Sequence, residues 1–382
     1  MKLLKVKATG LPLFDNPLQI DFSAEQRVSE YGREKLYNIF SNLYQNNVIS
    51  IVGINASGKT SLLKVLLFSI NLLNNKAVNS ISCKEILEGI TEEQEVVFEN
   101  YFYSQNKIYS LKTTIKRQED HYYIADETLL SKKITSTFRK SSLYDFTTAA
   151  VVEKRDTNEQ YLLDDVSIMV AFNKKTKDYI QLADMLEDTN TNILRISRDF
   201  PQELLAFFDS SVDYLKINDE RKNIEIHLKF KNKEEIILNR FKELNKYLSS
   251  GTIKGINTFV YAMKMFKSGG YVLIDEIENH FNQEIVSVLI RFFQDKTINP
   301  KGAVLIFSTH YSELLDEFER NDNIYIVRNN NGISSQKLSD ILKRNDIKKS
   351  EAFQSGYLGG TTIDYKPYIS LKKLLMRKAK GE

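Results

Sequence analysis

Hydrophobic positions alternate near the start of the chain. Leu3-Leu4-Lys5-Val6-Lys7 and Leu18-Gln19-Ile20-Asp21-Phe22 flank a Gly10/Pro12 break, which predicts two strands around a turn. Val48-Ile49-Ser50-Ile51-Val52 is a short apolar run, the pattern of a strand covered on both faces of a parallel sheet. Beyond it Leu62, Leu63, Leu66, Leu67 and Ile70 recur at helical spacing, giving strand, loop and helix in succession. From Val96 to about Ile124 the pattern turns to β, with Tyr101, Tyr103, Tyr109 and Tyr122 set among polar residues. The stretch to about residue 247 is polar and mixed. It predicts helices around 182–186 and 202–208 and a strand pair at 224–228 and 236–238. Apolar β-runs return at 271–274, 303–307 and 324–327, the last before an Asn329-Asn330-Asn331-Gly332 turn.

Composition narrows the class. Hydrophobic residues make up 42% and charged residues 27% of 382, enough apolar material for packed cores rather than a disordered chain. A net charge of +3 does not suit a protein that coats nucleic acid through bulk electrostatics. A nucleic-acid role therefore needs a local patch, for which Lys107, Lys112, Lys116, Arg117, Lys132 and Lys133 are candidates. One cysteine, Cys83, excludes an intramolecular disulfide and a zinc site built on cysteine pairs. No run approaches the ~18 apolar residues of a membrane span. Lysines at 2, 5 and 7 interrupt any signal-peptide core, so a cytoplasmic chain without a membrane partner is expected. The basic end (Lys372, Lys373, Arg377, Lys378, Lys380) reads as a solvated helical tail or a partner contact.

Gly53-Ile54-Asn55-Ala56-Ser57-Gly58-Lys59-Thr60 matches G-x-x-x-x-G-K-[ST] without departure. Gly53 and Gly58 permit torsions and close approaches that a Cβ obstructs. Backbone N–H groups from Asn55 through Ser61 then face anionic oxygens at a helix start. Lys59 supplies charge for β- and γ-phosphates, and Thr60 a hydroxyl for Mg²⁺. A nucleotide with Mg²⁺ is therefore the expected ligand.

Tyr271-Val272-Leu273-Ile274 ends in Asp275-Glu276. Asp275 is the candidate Mg²⁺ carboxylate and Glu276 the group that orients or deprotonates the attacking water. His310 leaves a further buried strand after Ser308-Thr309, either as a γ-phosphate sensor or as a structural histidine. Leu248-Ser249-Ser250-Gly251-Thr252 precedes the helix predicted at 257–266, where a hydroxyl and free N–H groups suit an anion or a simple cap.

The order of phosphate loop, Leu-Ser-x-Gly segment, Asp-Glu strand and Thr-His strand end resembles the ABC-type ATPase heads. It is similar to compact prokaryotic AAA-family ATP-binding proteins related to the OLD, RecF and SMC proteins. The resemblance implies an α/β P-loop NTPase of ABC-ATPase head type, a mixed sheet flanked by helices with an inserted mixed α/β lobe. The halves of the head would span 1–130 and 246–340, the lobe 131–245, and a C-terminal extension with the basic tail 341–382. It further implies that Ser249 and Gly251 cap ATP held by a second subunit, and that His280 lies in a subunit-contacting turn. The coupling glutamine of the relatives has two candidates, Gln105 and Gln160. Lys59 and Ser249 are too close in sequence for an SMC-like coiled coil, and too few residues follow Val327 for a Toprim nuclease domain. The resemblance thus implies an ATP-gated homodimer that controls a separate effector, such as a Toprim-type nuclease, in antiphage or abortive-infection defence. The alternative it implies is a RecF-like DNA-repair ATPase that clamps DNA.

Overall fold

The computed structural model describes residues 1–15, 17–135, 138, 140–156, 162–186, 194, 201–220, 223–279, 282–344, 346–361 and 365–380, the side chains at 31, 219, 220, 223 and 365 excepted. Five parallel strands form most of a central sheet, in the order Leu182–Met185, Tyr271–Ile274, Val304–Thr309, Val48–Val52 and Ile324–Asn329. Ile333–Lys337 closes it as an antiparallel hairpin partner of Ile324–Asn329. Both faces are covered, as the unbroken apolar runs require. Ile49 and Ile51 point into one core, while Val48 and Val52 point into the other.

Helix Lys59–Leu73 fills the first core. Leu62, Leu63, Leu66 and Ile70 are fully buried there, beneath a second, six-stranded antiparallel sheet. That sheet runs Leu18–Asp21, Lys2–Thr9, Val96–Ser104, Lys107–Gln118, His121–Lys133 and Ala150–Lys154. Hydrogen bonds tie the two sheets together. The Leu3 N–H donates to the Tyr271 hydroxyl (2.7 Å) and the Asp21 N–H to the Tyr325 hydroxyl (2.8 Å).

The second core lies on the opposite face, under helices Ser250–Ser268 and Gln283–Gln294. A separate three-stranded sheet, Val212–Glu220, Asn223–Phe230 and Glu235–Leu238, packs with helix Gln202–Phe208 on the far side of helix Ser250–Ser268. Within 131–245 this small sheet occupies only the later part. Earlier segments of the same stretch join the two large sheets.

One expectation is overturned. Residues 182–186 are not helical: Leu182–Met185 pairs in parallel with Tyr271–Ile274 at the edge of the central sheet. Ala183 and Met185 are buried and Asp184 is exposed, so the segment follows the period of two. Four residues are too few to reveal that period against a helical one, and pairing with a neighbour decides the outcome. The strands at 224–228 and 236–238 and the helix at 202–208 form where the pattern places them. The C-terminal helix Tyr365–Ala379 exposes Leu371, Leu374 and Leu375. Among the described residues no helix is long and apolar enough to cross a membrane.

Candidate functional site

The glycine-rich loop leaves the C-terminal end of Val48–Val52 and enters helix Lys59–Leu73 at the centre of the sheet. Sterics at Gly53 and Gly58 account for both glycines. A Cβ on Gly53 would stand 2.5 Å from the Val327 carbonyl oxygen, and one on Gly58 would stand 2.6 Å from Ile333. Gly58 has φ +99°, and Ala56 takes φ +62° without being glycine, a conformation tolerated where the surrounding structure imposes it. The helix start has neither a side-chain cap nor an acidic residue in its first turn, so its N–H groups stay open to an anion. The Ser57 hydroxyl oxygen is buried and has no hydrogen-bond partner among the described residues.

A cleft of about 560 Å³ opens over this loop, lined by Asn55, Ala56, Ser57, Gly58, Lys59, Thr60, Ser61 and Glu276. Pro12, Leu13 and Ile333 form an apolar wall, and Asn329 and Asn331 add polar groups. The sequence pattern gave no notice of this wall, because its residues come from two distant turns. Lys59 donates to the carbonyls of Gly53 (3.0 Å) and Ile54 (3.1 Å). Burial holds its ammonium below the ordinary lysine range, opposed by the charges of Glu278, Glu276 and Asp275.

Asp275 is the junction of the site. The Thr60 hydroxyl donates to Asp275 Oδ2 at 2.6 Å, and the Ser308 hydroxyl donates to Oδ1. Ser308 in turn accepts the Glu276 N–H at 2.7 Å. Parallel register explains the meeting: Ile274 pairs with Phe307, which sets Ser308 beside Asp275. Ser308 was not a candidate from sequence. A serine ending an otherwise apolar strand, one residue past the register partner, was the available signal. Glu276 has φ +46°, lines the cleft, and accepts a bond from Asn279 Nδ2 (2.6 Å). A second cleft of about 640 Å³ shares Thr60 and Glu276 and adds Lys64, Asp184 and Asp275. Thr60 and Asp275 therefore present a hydroxyl and a carboxylate side by side, a hard-oxygen pair that fits Mg²⁺. Among the described residues no three His, Cys, Asp or Glu side chains gather as a cation site of their own, so phosphate oxygens would complete the set.

His310 stands at the exit of Val304–Thr309, with its N–H donating to Glu278 Oε1 at 2.7 Å and its Nδ1 paired with the same oxygen. Glu278 was not a candidate from sequence. Ser249 caps helix Ser250–Ser268, its Oγ accepting the Thr252 N–H at 3.0 Å. Neither Ser249 nor Gly251 lines the cleft of its own chain. The helix still reaches the carboxylate turn, since Lys254 Nζ donates to the Asn279 carbonyl at 3.2 Å.

Gln105 occupies the turn between Val96–Ser104 and Lys107–Gln118 and lines neither cleft. Gln160 and His280 lie outside the described residues. Of the basic candidates, Lys116 pairs with Glu95, Arg117 with Asp120, and Lys132 donates to the Ser142 and Asp145 carbonyls.

Comparison with curated proteins finds no match. A family model described as "AAA domain, putative AbiEii toxin, Type IV TA system" matches residues 48–316. That span, well over half of the chain, runs from the strand before the phosphate loop past the histidine strand. The chain therefore belongs to this family of P-loop AAA-type ATPase domains.

Proposed function

We propose that the protein is an ATP-hydrolysing switch with an ABC-type head and an inserted lobe, in which two copies close on ATP and control a separate effector. One observation carries the reading: Asp275 sits between the hydroxyls of Thr60 and Ser308 in the cleft that shares Thr60 and Glu276 with the phosphate-loop cleft. In this reading the triphosphate lies on the loop N–H groups from Asn55 to Ser61, and Lys59 leaves its own carbonyls for the β- and γ-phosphates. The apolar wall of Pro12, Leu13 and Ile333 suits the nucleotide base. Mg²⁺, held through Thr60 and Asp275, would neutralise phosphate charge.

Glu276 accepts a proton from a water that attacks the γ-phosphorus; the bond to the β–γ bridging oxygen breaks, leaving ADP and inorganic phosphate. Asn279 holds Glu276 by its other oxygen, and His310 senses the γ-phosphate. Ser249 and Gly251 fall outside their own chain's cleft, which suits a helix start that caps the triphosphate of a second copy. The "putative AbiEii toxin, Type IV TA system" wording of the family, with the resemblance to compact defence ATPases, supports a role in antiphage defence beside a separate effector, such as a Toprim-type nuclease.

Steady-state turnover and equilibrium ATP binding test the assignment together. Lys59→Ala should weaken ATP binding by about 10–100-fold, as expected for lost hydrogen bonds from a charged donor. Glu276→Gln should keep ATP affinity and slow hydrolysis by about 10²–10⁴-fold. Normal binding in the first variant, or normal turnover in the second, contradicts the reading.

A further inference from the structure

We propose that Glu278 is a positioning residue for hydrolysis: it fixes the His310 ring with Nδ1 against its carboxylate and leaves Nε2 as the nitrogen offered to the nucleotide. The inference rests on the ATPase reading above and adds a residue that neither the phosphate loop nor the Asp-Glu pair specifies.

Glu278 lies in the single 3₁₀ turn Ile277–Asn279, directly after the paired carboxylates. Its side chain is only 1% exposed, and a carboxylate is rarely buried without partners that hold it in one geometry. Both partners come from one residue. The His310 backbone N–H fixes where the residue sits, and the Nδ1 pairing fixes how the ring is rotated. A carboxylate accepting Nδ1–H also decides which ring nitrogen carries the proton. The ring is 40% exposed, so it is sheltered along the edge that meets Glu278 while much of its surface stays open.

Two further observations bear on this pair. Glu278 Oε2 is buried and has no hydrogen-bond partner among the described residues, which leaves it able to accept a further donor. Among the carboxylates whose charge bears on Lys59, Glu278 acts most strongly, ahead of Glu276 and Asp275. A water arriving with the substrate is a donor small enough to reach this open oxygen. Glu276 and Glu278 divide the work: one faces the cleft and binds Asn279, the other stands behind the histidine.

Turnover of Glu278→Gln, His310→Ala and the double variant tests this, with affinity for a non-hydrolysed ATP analogue measured on each. Glu278→Gln should bind the analogue within about twofold of wild type and lose at least about tenfold in kcat. Adding it to His310→Ala should slow turnover by no more than about twofold further, because both act through one ring. Glu278→Gln with wild-type turnover, or losses that multiply in full, would overturn the positioning role while leaving a slow His310→Ala to support the ATPase reading. A His310→Ala variant with normal turnover would overturn the positioning role and the γ-phosphate sensor role of His310 together, while leaving the ATPase assignment standing. Should Glu278→Gln fail to fold, ¹⁵N spectra of the wild-type ring decide: a proton on Nδ1 supports the proposal, and a bare Nδ1 overturns it.

Discussion

Part of the backbone strain lies at the phosphate-loop cleft. Ala56, Gly58 and Glu276 all have positive φ, and all three line the same cleft. Such torsions cost about 1–3 kcal/mol each for a residue with a Cβ and persist where packing imposes them. Elsewhere a buried charge carries a different cost. Asp21 is fully buried beneath the junction of the two sheets and accepts bonds from Ser23 and Tyr144, yet its Oδ2 has no partner among the described residues. Burial raises its pKa from 3.8 to about 6, against the opposing charge of Lys337. The folded chain then holds this proton more tightly than the unfolded chain between those two values. The Asp21 contribution is fullest below about pH 4 and falls as pH rises through about 6, by roughly 3 kcal/mol. Asp21→Asn should remove that slope. Urea unfolding of both proteins at pH 4 and pH 7 checks it: a difference between the two that does not change with pH would contradict the assignment.

Helix Ser250–Ser268 is the element on which the parts converge. Phe259, Ala262, Met265 and Phe266 enter the core under the central sheet, while Ile253, Ile256 and Val260 enter the core of the small three-stranded sheet. Ser249 caps its start and Lys254 follows one turn on, so a shift in the small sheet would be felt at the carboxylate turn. Gly255 sets the distance to helix Gln202–Phe208. A Cβ there would stand 2.3 Å from the Phe208 ring, which already packs edge-on to Phe259. Gly255→Ala should destabilise the protein by about 1–3 kcal/mol through overpacking. Phe208→Ala should relieve part of that loss, so the double variant should be more stable than the sum of the two. Additive losses in chemical denaturation would show that the two positions do not press on each other.

This helix also shows where sequence reading stops. Val48–Val52, Tyr271–Ile274 and Val304–Thr309 were legible because burial on both faces leaves an apolar run without gaps. The phosphate loop was legible because its steric demands admit few residue types. Leu182–Met185 was not, since a four-residue edge strand owes its conformation to Tyr271–Ile274. Ser308 and Glu278 were not, since their roles arise from register and from one turn that brings a carboxylate under His310. The wall of Leu13 and Ile333 depends on two turns meeting through the Phe14–Ile333 bridge, which no local pattern announces.

At the scale of the whole molecule the two sheets act as one support. Besides the Tyr271 and Tyr325 bonds, Lys2 Nζ donates to the carbonyls of Gly269 (2.8 Å), Lys301 (2.6 Å) and Gly302 (2.6 Å), locking the first strand to the base of the central sheet. The phosphate loop, Asp275 and His310 all emerge at the opposite, C-terminal end of the parallel strands, where α/β sheets bind ligands. The helix start at Ser249 and Gly251 lines neither cleft of its own chain. The proposed mechanism therefore stands on a second copy supplying it. Light-scattering mass of Glu276→Gln, measured with saturating ATP and Mg²⁺, tests this most directly. The account predicts a mass twice that of one chain with ATP, a single-chain mass with ADP, and no doubling once Ser249→Arg is added. ATP bound at one per chain to a protein that keeps its single-chain mass would contradict it.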